Sequence, residues 1–109
     1  MTSQFTKAER KQMRELASTV YEAEAHALLE SLDAEFTRWR NGECFSSELL
    51  ATVHEFHQHQ SRELWSAYQG LSDAMVLERG LGLGLVEERS VPPSILAKLS
   101  PWTPKLPEE

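Results

Sequence analysis

Residues 6–42, TKAERKQMRELASTVYEAEAHALLESLDAEFTRWRNG, decide the fold. No glycine or proline interrupts this run before Gly42 closes it. Thr6-Lys7-Ala8-Glu9 fits a capping box, in which a hydroxyl and a carboxylate satisfy the free amides at a helix start. Met13, Leu16, Ala17, Val20, Ala27, Leu28, Leu32, Phe36 and Trp39 then recur at helical spacing. Asn41-Gly42 supplies the stop, because both residues tolerate the left-handed conformation that ends helices. The pattern predicts one helix of roughly 34 residues, about 50 Å long.

Towards the C-terminus, a second long helix is expected over 47–69, ended by Gly70. Ser46 is placed to cap it, and Phe45 to pack on Leu50 as a hydrophobic staple. Its core stripe reads Leu49, Val53, Phe56, Gln60, Leu64 and Ala67, flanked by Leu50, His57 and Tyr68. Ser72 caps a shorter helix through Arg79, with Leu71 and Val76 as a second staple. Pro92-Pro93 starts a fourth helix through Leu99, since proline suits a first helical turn. Short connections favour antiparallel neighbours. The expected fold is therefore all-α: an antiparallel helical bundle with one long N-terminal helix, a second long helix and two short C-terminal helices. Residues 1–100 form its single domain. Residues 101–109 form a Pro-rich tail, from which Trp102 is placed to dock on the body.

The chain has 109 residues, 40% of them hydrophobic and 26% charged, as in ordinary globular domains. No apolar run approaches the roughly 20 residues that span a bilayer, so no membrane contact is expected. The formal charge of −6 opposes broad nucleic-acid binding, which needs cations against phosphate. Cys44 is the single cysteine, which excludes an intrachain disulfide and a one-chain cysteine zinc cage. Met1-Thr2-Ser3-Gln4-Phe5 has no apolar signal-peptide core. These features together lead to the expectation of a cytoplasmic protein.

Three of the four histidines fall in Val53-His54-Glu55-Phe56-His57-Gln58-His59-Gln60. On a straight helix His57 projects from the apolar face, where an ionisable group is unusual. His54, His57 and Ser61 share one flank, with Tyr68 farther along, and His59 points nearly opposite. His54 and His57 could share a metal only with a third ligand from the first helix, where Glu24 and Glu35 lie on the inner side. Glu22 and His26 make another possible pair. No His-Glu-x-x-His motif and no paired Glu-x-x-His set is present, so no metal or other cofactor is implied. The alternative for His57 is a core histidine bonded to a carboxylate or carbonyl. Glu24, Glu35 and Gln60 on apolar faces likewise need partners. A Glu–His or Glu–Arg contact between helices would satisfy them.

Trp39-Arg40-Asn41-Gly42, Glu48-Leu49, Val53-His54-Glu55-Phe56-His57, Arg62-Glu63-Leu64 and Tyr68 together resemble a family of small uncharacterised bacterial helical proteins. Its pattern is a Trp-x-x-Gly turn followed by a His-x-Phe-His helix, and the resemblance covers about half the chain. It implies a bacterial, all-helical protein with no assigned activity, and it draws attention to His54, His57, Arg62 and Tyr68. In that pattern a small residue follows the second histidine; here Gln58-His59-Gln60 stands there.

Other features read as structural. Lys7, Arg10, Lys11 and Arg14 make a basic start to the first helix, and a solvated face is the expected outcome. Gly80, Gly82 and Gly84 follow a helix rather than a strand and lack a following Gly-Lys-Ser/Thr, so they form no phosphate loop. A flexible turn or close backbone packing is expected there. Cys44 near a helix start has no resolving partner.

The first helix outruns the second by roughly 10 residues, about 15 Å. The apolar stripe through Met13, Leu16, Val20 and Tyr21 must be covered by the short helices or by another subunit, and a homodimer is the expectation. Two functions follow. The favoured one is a small acidic interaction or regulatory protein, acting through protein–protein contacts near Trp39, Trp65 and Trp102. The alternative is an enzyme or small-ligand binder with a polar site around His57, using His54, Arg62 and Tyr68, with Glu24 and Glu35 as helix-1 partners.

Overall fold

The computed structural model describes residues 4–102. Helix α1 spans Lys7–Arg40 and α2 spans Ser46–Glu55. A π-helical turn at Phe56–Gln60 leads into α3, Ser61–Tyr68. Helix α4 is Asp73–Gly82; a 3-10 turn at Glu88–Ser90 precedes the short α5, Pro93–Leu96. No strand occurs among the described residues, so the all-α class holds. No helix among them is long and apolar enough to cross a membrane. Of the Pro-rich tail, Pro101 and Trp102 are described; the remainder lies outside the described residues.

The α1 start forms as its residues dictate. Thr6 N–H donates to Glu9 Oε1 at 2.8 Å, and Glu9 N–H donates to Thr6 Oγ1 at 3.1 Å. Gly42, with φ of 76°, takes the left-handed position after α1, where a side chain would be strained. Contacts divide the described residues into two compact units, residues 4–23 with 70–102, and residues 24–69. Helix α1 contributes its first part to one and its second part to the other.

The first unit has the better-formed core. Met13, Ala17 and Val20 of α1 are buried, as are Val76 and Leu77 of α4, Val91 and Ile95. Gly80 lets α1 and α4 approach closely: a methyl placed on it would lie 2.6 and 2.9 Å from the two methyls of Val20. Trp102 docks on Gly82, where an added methyl would lie 2.5 Å from its ring, and Arg79 stacks 5.4 Å from the ring centre. Gly80 and Gly82 are thus packing positions, whereas Gly84 takes a left-handed conformation with φ of 73°; α4 continues past the expected end at Arg79 to Gly82. Ser72 caps α4 by accepting from Met75 N–H at 3.2 Å. Helix α5 stops at Leu96 rather than Leu99. Lys98 beyond it donates to Glu9 Oε1 and to the Gln4 carbonyl, both at 2.9 Å.

The second unit has little core. Its one buried apolar residue is Leu49, 7% exposed. The sequence expectation for the start of α2 is corrected here. Ser46 is the first helical residue, not the cap, and its hydroxyl accepts the Trp39 indole N–H at 2.9 Å. Phe45 stands at the cap position, where Glu48 accepts its N–H at 3.3 Å. Phe45 and Leu50 stay 76% and 70% exposed, so no buried staple forms.

Candidate functional site

The histidine-rich stretch lies on the π-helical turn. The Ser61 N–H bonds to the Phe56 carbonyl, five residues back, while the backbone on both sides remains right-handed helical. One extra residue in the turn rotates everything after it by about 100° relative to a straight helix. Such turns recur at functional sites because they re-aim side chains without breaking the helix. Here the rotation turns Ser61 and Tyr68 inward, half-buried, and leaves Gln60 exposed. The expectation of Gln60 in the core stripe is therefore corrected.

The expectation for His57 is corrected as well. It is exposed rather than set in the apolar face, as are His54, His59 and Arg62. His59 lies 3.7 Å from Glu55, one turn back. His26 pairs with Glu30 at 3.1 Å, so the carboxylate it uses is four residues ahead, not Glu22 behind it. Among the described residues, no group of three His, Cys, Asp or Glu side chains could hold a metal ion.

Two of the singled-out residues do meet. Tyr68 O–H donates to Glu24 Oε1 at 2.6 Å, partly buried. This length is typical of a hydroxyl bonding a carboxylate, a stronger bond than a neutral one. It fills the need of Glu24 for a partner with a tyrosine rather than the expected histidine or arginine. Glu35 is half-buried and pairs within its own helix, with Arg38 at 2.9 Å. The structure therefore joins Tyr68 to Glu24, while His54, His57 and Arg62 face solvent.

Beside the π-helical turn lies an open cleft of about 350 Å³, lined by Ser31, Leu32, Glu35, Thr52, Phe56 and Gln60. Its hydroxyls are engaged locally: Ser31 donates to the Leu28 carbonyl and Thr52 to the Glu48 carbonyl. Glu35 is held by Arg38. No nucleophile–base pair is assembled by these bonds.

The apolar surface of residues 24–69 is more distinctive. Leu29, Leu50 and Trp65 are 58%, 70% and 61% exposed. Trp39 is anchored through its indole to Ser46 yet stays 40% exposed. The segment also holds all four histidines, and three arginines against eight carboxylates leave it at −5 with neutral histidines. Sequence reasoning named Trp39 and Trp65 as contact candidates but missed Leu29 and Leu50. Their signal was present: each directly follows an inward leucine, Leu28 or Leu49. No family model matches this chain, and none of the curated proteins or solved structures compared with it is similar.

Proposed function

We propose that this chain is an interaction protein whose working surface is the exposed apolar face of residues 24–69. The observation that carries the reading is the combination of Leu29, Leu50 and Trp65 lying mostly in water with Leu49 as the one buried apolar side chain of that unit. Monomeric proteins rarely leave such clusters uncovered, and contiguous apolar patches commonly mark contact sites. We read the unit as an antiparallel helical hairpin. In support, Trp39 meets Ser46 next to the connecting turn, and Glu24 meets Tyr68 at the other end. Two helices alone bury too little to be stable, so a bundle completed by a protein partner is the natural outcome. The single cysteine fits a reducing compartment, and we place the protein in the cytoplasm.

Native mass spectrometry of untagged protein, purified without added metal or chelator, tests this reading. The expected spectrum shows protein assemblies with no additional small mass. A stoichiometric extra mass that disappears in His57→Ala, with the fold intact by circular dichroism, would overturn it in favour of a ligand site at the second helix.

A further inference from the structure

The basic start of α1 is more than a solvated face. Arg10 and Arg14 line a cleft of about 280 Å³ with Phe5, Met13, Asp73 and Ala74, all within the unit of residues 4–23 and 70–102. Met13 is buried in the core stripe of α1. Arg10 and Arg14 lie about 60° and 100° round the helix from it, at the rim of the cleft. The walls are held before anything binds. Arg10 Nη1–H donates to the Phe5 carbonyl at 3.0 Å. The Lys98 ammonium lies 5.5 Å from the centre of the Phe5 ring, and the Ser72 cap fixes the first turn of α4. Small-ligand sites commonly take this form, a largely preformed cleft with apolar walls and a few placed polar groups.

The charges around the cleft select the head of its ligand. Arg10 and Arg14 are one turn apart on α1, and like charges at that spacing repel. Arg14 has no hydrogen-bond or ion-pair partner among the described residues, and neither arginine pairs with Asp73. Glu9, towards the core, is taken up by Lys98 and the Thr6 amide. Lys7 and Lys11 lie about 120° and 160° from Met13, on the outer flank, and Glu15 lies beyond them, about 100° from Arg14. Asp73 is the acid in the first turn of α4, where a carboxylate suits the helix dipole. Two guanidiniums against this one carboxylate leave the lining at +1. A singly charged head balances it, whereas a doubly charged phosphate would face Asp73 with charge in excess. The planar guanidinium fork also matches a carboxylate through two parallel bonds.

We propose that this cleft binds a small organic monocarboxylate with a compact apolar body. The carboxylate bridges Arg10 and Arg14 and relieves their repulsion, and the body lies against Phe5, Met13 and Ala74. The volume has room for roughly ten non-hydrogen atoms. A ligand of that size in an open cleft is held with a dissociation constant of about 1 mM. The site belongs to the other unit and does not rest on the interaction reading of residues 24–69. A ligand held this weakly leaves on desalting and adds no mass to a native spectrum, so either idea can fail without the other.

Amide NMR of the full chain, titrated at constant ionic strength with sodium 3-phenylpropionate, tests the proposal. Saturable shifts are expected at Phe5, Asp73 and Ala74. The neutral 3-phenylpropanol and inorganic phosphate should each bind at least about tenfold more weakly. Arg14→Gln, at an exposed position, should weaken 3-phenylpropionate about tenfold with unchanged helicity, while Lys11→Gln, on the outer flank, should leave it unchanged. No saturation by about 20 mM, or shifts centred elsewhere, overturns the site. Equal binding of the alcohol overturns the role of the guanidiniums, and equal binding of phosphate overturns the choice of a carboxylate. A loss in Lys11→Gln as large as in Arg14→Gln overturns the cleft in favour of a diffuse basic surface.

Discussion

Glu9 shows how one residue serves two purposes. Its carboxylate closes the capping box at the start of α1 and receives Lys98 from beyond α5. The Lys98 hydrogen bond, then the Thr6 amide, then the Ser94 hydroxyl pull its pKa from 4.5 to about 2, and burial opposes them weakly. A folded pKa below the unfolded one means that the unfolded chain binds the proton first. The stabilisation is then complete above about pH 4.5 and is lost as pH falls towards 2. Urea midpoints of wild type and Glu9→Gln should therefore differ most at neutral pH and converge between pH 4.5 and 2; a constant gap would show that the carboxylate's charge is not what matters. The capping box was legible from four adjacent residues. Lys98 was not, because it lies 89 positions away and only folding brings it there.

Helix boundaries depend on what the helix packs against. Glycine ordinarily weakens a helix interior, which is why α4 is expected to stop near Arg79. In the structure Gly80 and Gly82 lie within α4, where Val20 and Trp102 occupy the space of the missing side chains. Gly80→Ala should consequently destabilise the protein by about 1–3 kcal/mol through overpacking, outweighing the gain of about 1 kcal/mol in helix propensity. A lowered urea midpoint checks this, and a raised one would mean that α1 and α4 can part without cost. The π-helical turn is the other lesson at this scale. The periodicity of 47–69 reads as a straight helix, and one extra residue at Phe56–Gln60 was enough to move Gln60 out and Tyr68 in.

The two units of the molecule differ in how much they bury. Residues 4–23 with 70–102 enclose Val20, Leu77 and Ile95 almost completely, whereas residues 24–69 bury Leu49 alone among their apolar side chains. Local opening follows such differences. Amide hydrogen exchange of the dilute full chain should be slow around Val20 and Leu77 and much faster through α2 and α3. Equal protection in both units would contradict this difference in burial. The sequence by itself determined the helical class, the span of α1, its capping box and the closing Gly42, because each follows from periodicity and local backbone preference. Only the tertiary structure decided that Ser46 receives Trp39, that Tyr68 answers Glu24, and that His57 faces water rather than a core. Those outcomes depend on contacts between distant segments and on a one-residue change of helical phase, neither of which a local pattern contains.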